Sequence, residues 1–131
     1  NLVQMVKRNY EQSHKANPVA SLSLNQWREL IFSDDLIPEG SYLYVKDNQI
    51  IAYTFLHETS NHEVEMGWVG AEDLRQKEKV SSLVHRQIDF AERKGFEFLS
   101  GEFDTTDKFA IALLESLQLP RTPVWITLKK H

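Results

Sequence analysis

The 131-residue sequence contains no cysteine. That absence alone excludes disulfide frameworks, zinc–thiolate sites and cysteine nucleophiles. No apolar run approaches the ~20 residues of a bilayer span. The opening Asn1-Leu2-Val3-Gln4 has no basic leader followed by an apolar stretch, so no signal peptide is expected. The expectation is a soluble, cytoplasmic protein with no membrane partner. Basic residues are also in deficit, with 15 Lys and Arg against 19 Asp and Glu, a formal net charge of −4 and a pI near 5.7. That balance gives no electrostatic reason to expect nucleic acid. Glycine is scarce as well, and no Walker loop, Rossmann glycine fingerprint or Ser–His–acid arrangement is present. His57 and His62 flank a turn, but two histidines without a third ligand at zinc-like spacing do not make a metal site, and none is expected.

Hydrophobic residues make up 41% of the chain, enough for a real core, and the length fits one domain over 1–131. The alternatives to a single whole domain are a fragment or one half of a longer protein, since Asn1 stands where an initiator Met would. Leu2, Val3, Met5, Val6 and Tyr10 fall on one side of a first helix, which Asn17-Pro18 ends. Ser23 and Gln26 form a capping box before a second short helix carrying Trp27, Leu30 and Ile31. A loop follows from Asp34 to Gly40. Tyr42–Val45 and Ile50–Leu56 read as strands joined by a tight hairpin at Lys46-Asp47-Asn48-Gln49. Val64, Met66 and Trp68 alternate with Glu63, Glu65 and Gly67, the period of a third strand.

The period then changes. Val80, Leu83, Val84, Gln87, Ile88 and Ala91 mark an amphipathic helix over Gln76–Lys94, with Gly95 suited to its left-handed cap. Phe96–Phe103 is a short strand. Asp104 to Asp107 offers cap oxygens to a further helix carrying Phe109, Leu113, Leu114 and Leu117, and Val124–Leu128 is a last strand. The predicted order is α-α-β-β-β-α-β-α-β. The fold class is α/β (α+β), a mixed and mostly antiparallel sheet with helices on both faces. Only the strand–helix–strand unit over Val64–Phe103 is expected to be parallel. Trp27, Trp68 and Trp125 are read as core residues, because no basic groove accompanies them as a stacking platform would require.

A helix beginning just after a strand exposes unpaired N–H groups and the positive end of its dipole, which suits a phosphate. The segment is Trp68 to Val80. Arg75, Lys77 and Lys79 lie in or beside the helix start, opposed by Glu72, Asp73 and Glu78. The plainer alternative is a solvated first turn of mixed charge.

At these residues, and in the order of its elements over nearly its whole length, the sequence resembles the GNAT superfamily of acyl-CoA-dependent N-acetyltransferases. That family carries (Arg/Gln)-x-x-Gly-x-(Gly/Ala) at this turn, with backbone N–H groups holding the pyrophosphate of acetyl-CoA. Arg75 matches the first position, while Glu78 and Val80 stand where the two small residues belong. The resemblance rests on order and spacing more than on identical motif residues. It implies an acyl-CoA N-acyltransferase-like fold and acetyl-CoA as co-substrate. The implied cofactor-binding residues are Val69, Gly70, Arg75, Gln76, Lys77, Glu78, Lys79 and Val80, with Asp107 in place of a helix-start Asn. It also implies attack of a small-molecule or peptide amine on the thioester, with Glu65 as the base and Glu63 on the same strand face as its understudy. The other reading of both glutamates is the polar outer face of an antiparallel strand. Leu114 stands where a leaving-group Tyr is common. The family's opening strand has no counterpart after Asn1. These departures suit the alternative of a non-catalytic module, an interaction domain, or one half of a tandem with a companion domain or homodimer. An unrelated mixed α/β binding domain is the third reading.

Overall fold

The structure is a computed structural model describing residues 2–13, 22–103, 115 and 123–130. Helices α1 (Leu2–Ser13) and α2 (Leu24–Ile31) lead into a single 3-10 turn at Pro38–Gly40. Strands β1 (Tyr42–Lys46), β2 (Gln49–Glu58) and β3 (Glu63–Ala71) follow. A second 3-10 turn at Leu74–Gln76 runs into α3 (Lys77–Arg93), and strands β4 (Phe98–Phe103) and β5 (Trp125–Lys130) complete the described elements. Among the described residues, no helix is long and apolar enough to cross a membrane. The expected helix over 104–119 lies outside the described residues except Glu115, which is helical, and so do the Asn17-Pro18 stop and Asp107.

Local chemistry explains the element ends. The Ser23 hydroxyl accepts from the Gln26 N–H at 3.2 Å, while the Gln26 side chain accepts from the Ser23 N–H at 2.8 Å, a complete capping box. Asp47 and Asn48 take φ of 51° and 61°, so β1 and β2 join through a two-residue loop of the kind whose twist matches the strands. α3 ends with Gly95 at φ 80°. The Phe96 N–H bonds to the Ala91 carbonyl at 3.0 Å and the Gly95 N–H to that of Glu92 at 3.1 Å, the pair of bonds of a Schellman cap.

The five strands lie in chain order, β1-β2-β3-β4-β5. β1/β2 and β2/β3 are antiparallel, and β3/β4 and β4/β5 are parallel. The expectation of a mostly antiparallel sheet is therefore corrected to an even split. The long connection from Phe103 to Trp125 has the length a parallel crossover needs, and β5 enters in the same sense as β4.

Helices cover both faces. α3 lays Val80, Leu83, Val84, Ile88, Phe90 and Ala91 on Ala52 and Leu56 of β2, Val64 and Met66 of β3, and Leu99 of β4. On the other face, Val3 and Val6 of α1 and Trp27 and Ile31 of α2 pack on Tyr53 and Phe55 of β2. Each fully buried aliphatic side chain contributes about 1.5–3 kcal/mol of transfer free energy. Gln87, wholly buried among the apolar residues of α3, is satisfied at both ends. It accepts from Thr54 Oγ1 at 2.8 Å and donates to the Gly40 carbonyl at 3.0 Å, tying β2 and the 38–40 turn to α3.

Two strand assignments change. β3 carries a bulge: Leu56 faces Met66, but Phe55 faces Trp68, so Gly67 is an extra residue. The bulge turns Trp68 to the face opposite Val64 and Met66, where it packs with the α1/α2 cluster. Trp125, expected in the core, is 72% exposed on β5.

Candidate functional site

The bulge at Gly67 also marks where two strands part. The parallel ladder between β3 and β4 runs from Glu63/Phe98 to Met66/Gly101, while β3 continues to Ala71 paired with β2. Among the described residues, the other edge of Gly67–Ala71 has no strand partner. Alternate residues of a strand direct their N–H and C=O groups to each side, so this edge offers backbone donors and acceptors. The resulting fork opens at the C-terminal ends of two parallel strands, the usual ligand position in parallel α/β sheets. It leads along Val69 and Gly70 to the start of α3.

The mouth of α3 is only partly open. No side chain caps the helix N-terminus at Gln76, which leaves the amides of Lys77, Glu78 and Lys79 without such a cap. Immediately before it, Asp73 folds back on Arg75. Its carboxylate accepts from the Arg75 N–H at 2.9 Å and from the Arg75 guanidinium at 2.9 and 3.3 Å, and its carbonyl accepts from the Gln76 N–H at 3.1 Å. The guanidinium hydrogen bonds hold the Asp73 carboxyl below the usual carboxylate range, and the carboxylate raises Arg75 above its ordinary value. Glu78 is exposed, so its charge is directed to solvent. The Lys79 ammonium lies 5.0 Å from the centre of the Tyr44 ring. Lys77 is half-buried, and Val80 is fully buried, its side chain spent on the core. Gly70 is under the Tyr53 hydroxyl, which would lie 2.5 Å from an added Cβ, while Asn9 donates to that hydroxyl and to the Ala71 carbonyl, both at 3.0 Å.

The sheet face toward α2 carries a groove of about 540 Å³ that reaches Gly67. It is lined by Glu29 and Leu30 of α2, Ser33, Asp34 and Asp35 of the following loop, His57 of β2, Thr59, and Glu65, Gly67 and Trp68 of β3. Among the described residues, the lining includes four carboxylate residues and neither Lys nor Arg. It also lies at the C-terminal end of α2, the negative end of that helix. Trp68 is braced from behind by edge contacts to Trp27 at 5.4 Å and Tyr10 at 5.7 Å.

At the groove floor, His57 is directly across the β2/β3 ladder from Glu65. Its Nδ1 is 3.2 Å from Asp35 Oδ1, and the Ser33 hydroxyl hydrogen-bonds the same Asp35 oxygen. Ser33 first, then His57, holds the Asp35 carboxyl below its ordinary range. The imidazole is 7% exposed, and its Nε2 is buried with no hydrogen-bond partner among the described residues. The ring rests on Gly67, where an added Cβ would lie 2.5 Å from Cδ2 and 3.0 Å from Nε2.

The sequence-predicted residues thus divide. Glu65 lines the groove, and Val69 and Gly70 border the fork. Arg75 to Lys79 surround the α3 mouth. Glu63 is at the strand start, where its carbonyl accepts from the Thr59 and Ser60 amides, and it does not line the groove. Sequence reasoning missed Glu29, Asp34 and Asp35 and weighed His57 only as a metal ligand. Among the described residues, no group of three potential metal ligands converges. The period-two run Tyr53, Phe55, His57 was the available signal that placed this imidazole on the α1/α2 face.

No protein-family model matches the chain, and no curated protein matches it. Among solved structures it is similar to a point mutant of TTHA1254 from Thermus thermophilus, at a TM-score of 0.51 and 12% identity, over 93% of this chain and 87% of that one. At that identity the likeness extends to the fold alone.

Proposed function

We propose that this is a GNAT-type acyl-transfer domain, passing the acetyl group of acetyl-CoA to a cationic small-molecule or peptide amine. The observation that carries the reading is the meeting of fork and groove at Gly67. An acyl donor whose phosphates rest at the start of α3 would lay its amide-bearing arm along Gly67–Ala71, roughly 13 Å of extended strand at ~3.3 Å per residue. Its thioester would then end beside the acidic groove. There an ammonium meets Glu65, Glu29 and Asp34. The backbone edge of the fork supplies amide donors near the developing oxyanion.

A second reading is favoured by one specific contact. With Asp73 occupying the Arg75 N–H and guanidinium, the mouth is already neutralised from within, which suits a module that no longer holds CoA. A thermal-shift titration with acetyl-CoA separates the two. Ligand at a hundredfold excess over its dissociation constant stabilises a binding fold by about 2.7 kcal/mol. No shift at millimolar acetyl-CoA would remove the transferase reading. Asp73→Ala is the companion test, because it frees the Arg75 side chain and amide without touching the core. Under the transferase reading it tightens acetyl-CoA binding several-fold, and unchanged affinity would place any ligand elsewhere.

A further inference from the structure

We infer that Asn9 of α1 is a positioning residue of the fork: it holds the end of β3's free edge in place for the arm of the acyl donor, doing for one carbonyl what a neighbouring strand would do. That role rests on the acyl-transfer reading for the identity of the ligand. In the β2/β3 ladder the Glu72 N–H donates to the Ile51 carbonyl at 2.8 Å, so Gly70 and Glu72 turn their polar backbone groups to β2. Val69 and Ala71, one residue out of step, turn theirs the other way, into the fork. Among the described residues no strand lies opposite them. A strand end paired on one side only opens at little cost. Asn9 supplies the second side at one point. Its Nδ2 donates to the Ala71 carbonyl and to the Tyr53 hydroxyl, both at 3.0 Å. A carbonyl only accepts, so the amide nitrogen and not its oxygen faces Ala71. Tyr53 is 1% exposed on β2, so Asn9 is anchored to the core of the sheet while it holds the end of β3. Arg8 adds a longer contact, 3.4 Å to the Glu72 carbonyl.

Gly70 makes this arrangement possible. It faces Tyr53 across the ladder, and a Cβ there would lie 2.5 Å from the Tyr53 hydroxyl and 2.9 Å from Asn9 Nδ2. Glycine at 70 is thus required by the α1 side chain above it. With the Ala71 carbonyl taken, the backbone groups turned to the fork are the Val69 N–H, the Val69 carbonyl and the Ala71 N–H. That is a donor–acceptor–donor run, which an extended amide-bearing arm can match. Asn9 therefore sets both the position of the edge and its limit, because a ligand N–H arriving at Ala71 finds its acceptor already occupied. Without Asn9 the arm must order the strand end as it binds. The loss falls on donor affinity and spares contacts made at the start of α3.

The test uses Asn9→Leu in the whole chain, which keeps the branched shape and removes both donors. Its reference is Asn48→Val, which strains the distant β1–β2 turn and leaves the fork alone. The probes are acetyl-CoA and adenosine 3′,5′-bisphosphate, which carries phosphates but no arm. In Asn9→Leu the Kd for acetyl-CoA should rise about tenfold, or ~1.4 kcal/mol, the size of one net hydrogen bond. The Kd for the bisphosphate should stay within twofold, and Asn48→Val should change neither. In the free protein, amide hydrogen exchange at Val69 and Ala71 should speed up about tenfold in Asn9→Leu, while Val64 and Met66, paired on both sides, keep their rates. Unchanged acetyl-CoA affinity in Asn9→Leu, or unchanged exchange at Val69 and Ala71, overturns the inference and leaves the transferase reading intact. Equal weakening of both probes also overturns it, since general loosening of the fold does not single out the arm. If wild type binds no acetyl-CoA, the transferase reading falls and takes the donor role with it, and faster exchange in Asn9→Leu then marks Asn9 as a tie within the fold only.

Discussion

At Gly67, hydrogen in place of a methyl group decides three things together: the β3 bulge, the seat of the His57 ring, and the floor of the groove. A Cβ placed 2.5 Å from the imidazole cannot be absorbed without moving the ring. Gly67→Ala should therefore cost about 1–3 kcal/mol, typical of overpacking, as read by chemical denaturation. It should also break the Nδ1–Asp35 bond, visible as a changed His57 tautomer. Asp35 carries a second prediction. Its folded-state pKa is depressed, so its contribution to stability is present above the unfolded carboxylate pKa and is lost as pH falls through the lower folded value. Wild type should exceed Asp35→Asn in stability near neutrality, and the difference should shrink to nothing on acidification. A gap that persists in strong acid would show that the carboxylate's charge is not what matters. Neither residue's role was legible in the sequence. Val64-x-Met66-x-Trp68 reads as unbroken alternation because tryptophan is as much at home on one apolar face as on the other. Asp35 lies in a loop whose partner is across the fold.

At the level of elements, the sequence was most readable where one local interaction fixes the backbone. The Ser23–Gln26 box, the α3 stripe and Gly95 are cases in which the residue types and the geometry determine each other. The β1–β2 hairpin is another, and it can be tested without disturbing packing. Asn48 is exposed and has φ 61°, a conformation that costs a β-branched residue about 1–2 kcal/mol and that glycine adopts freely. Asn48→Val should lower stability by about that amount in thermal or urea unfolding, whereas Asn48→Gly should leave it unchanged or raise it slightly. Equal stability in both variants would mean that the turn is not held in this form. The α3 mouth was legible only in part. Cations and a strand-to-helix turn are visible as types, but whether Arg75 faces a ligand or folds back on Asp73 is a choice between two local partners that spacing does not reveal.

For the whole molecule, the arrangement that matters is a single sheet with an apolar helix cover on each face. The parallel pairing of β4 with β5 escaped the sequence reading because strand direction is set by where a crossover delivers the chain, not by any property of the strand's own residues. Among the described residues, the two covers form separate clusters on opposite faces of the sheet. β2 sends Ala52 and Leu56 to one side and Tyr53 and Phe55 to the other. Ile31 and Ile88 are both fully buried, one under α2 and one under α3, in separate clusters. Ile31→Val and Ile88→Val should each cost about 0.5–1.5 kcal/mol. Because the two side chains lie in separate clusters, the double variant should lose the sum to within ~0.5 kcal/mol. Unfolding should remain a single transition in every case, since stripping either cover exposes the same central strands and neither half has a sheet of its own. Two resolved transitions in chemical denaturation, or a double-variant cost far from the sum, would mean that the faces are coupled through strain in β2 rather than joined passively by it. That result would bear on function directly, because the fork and the groove both open from β3, a strand that both covers hold.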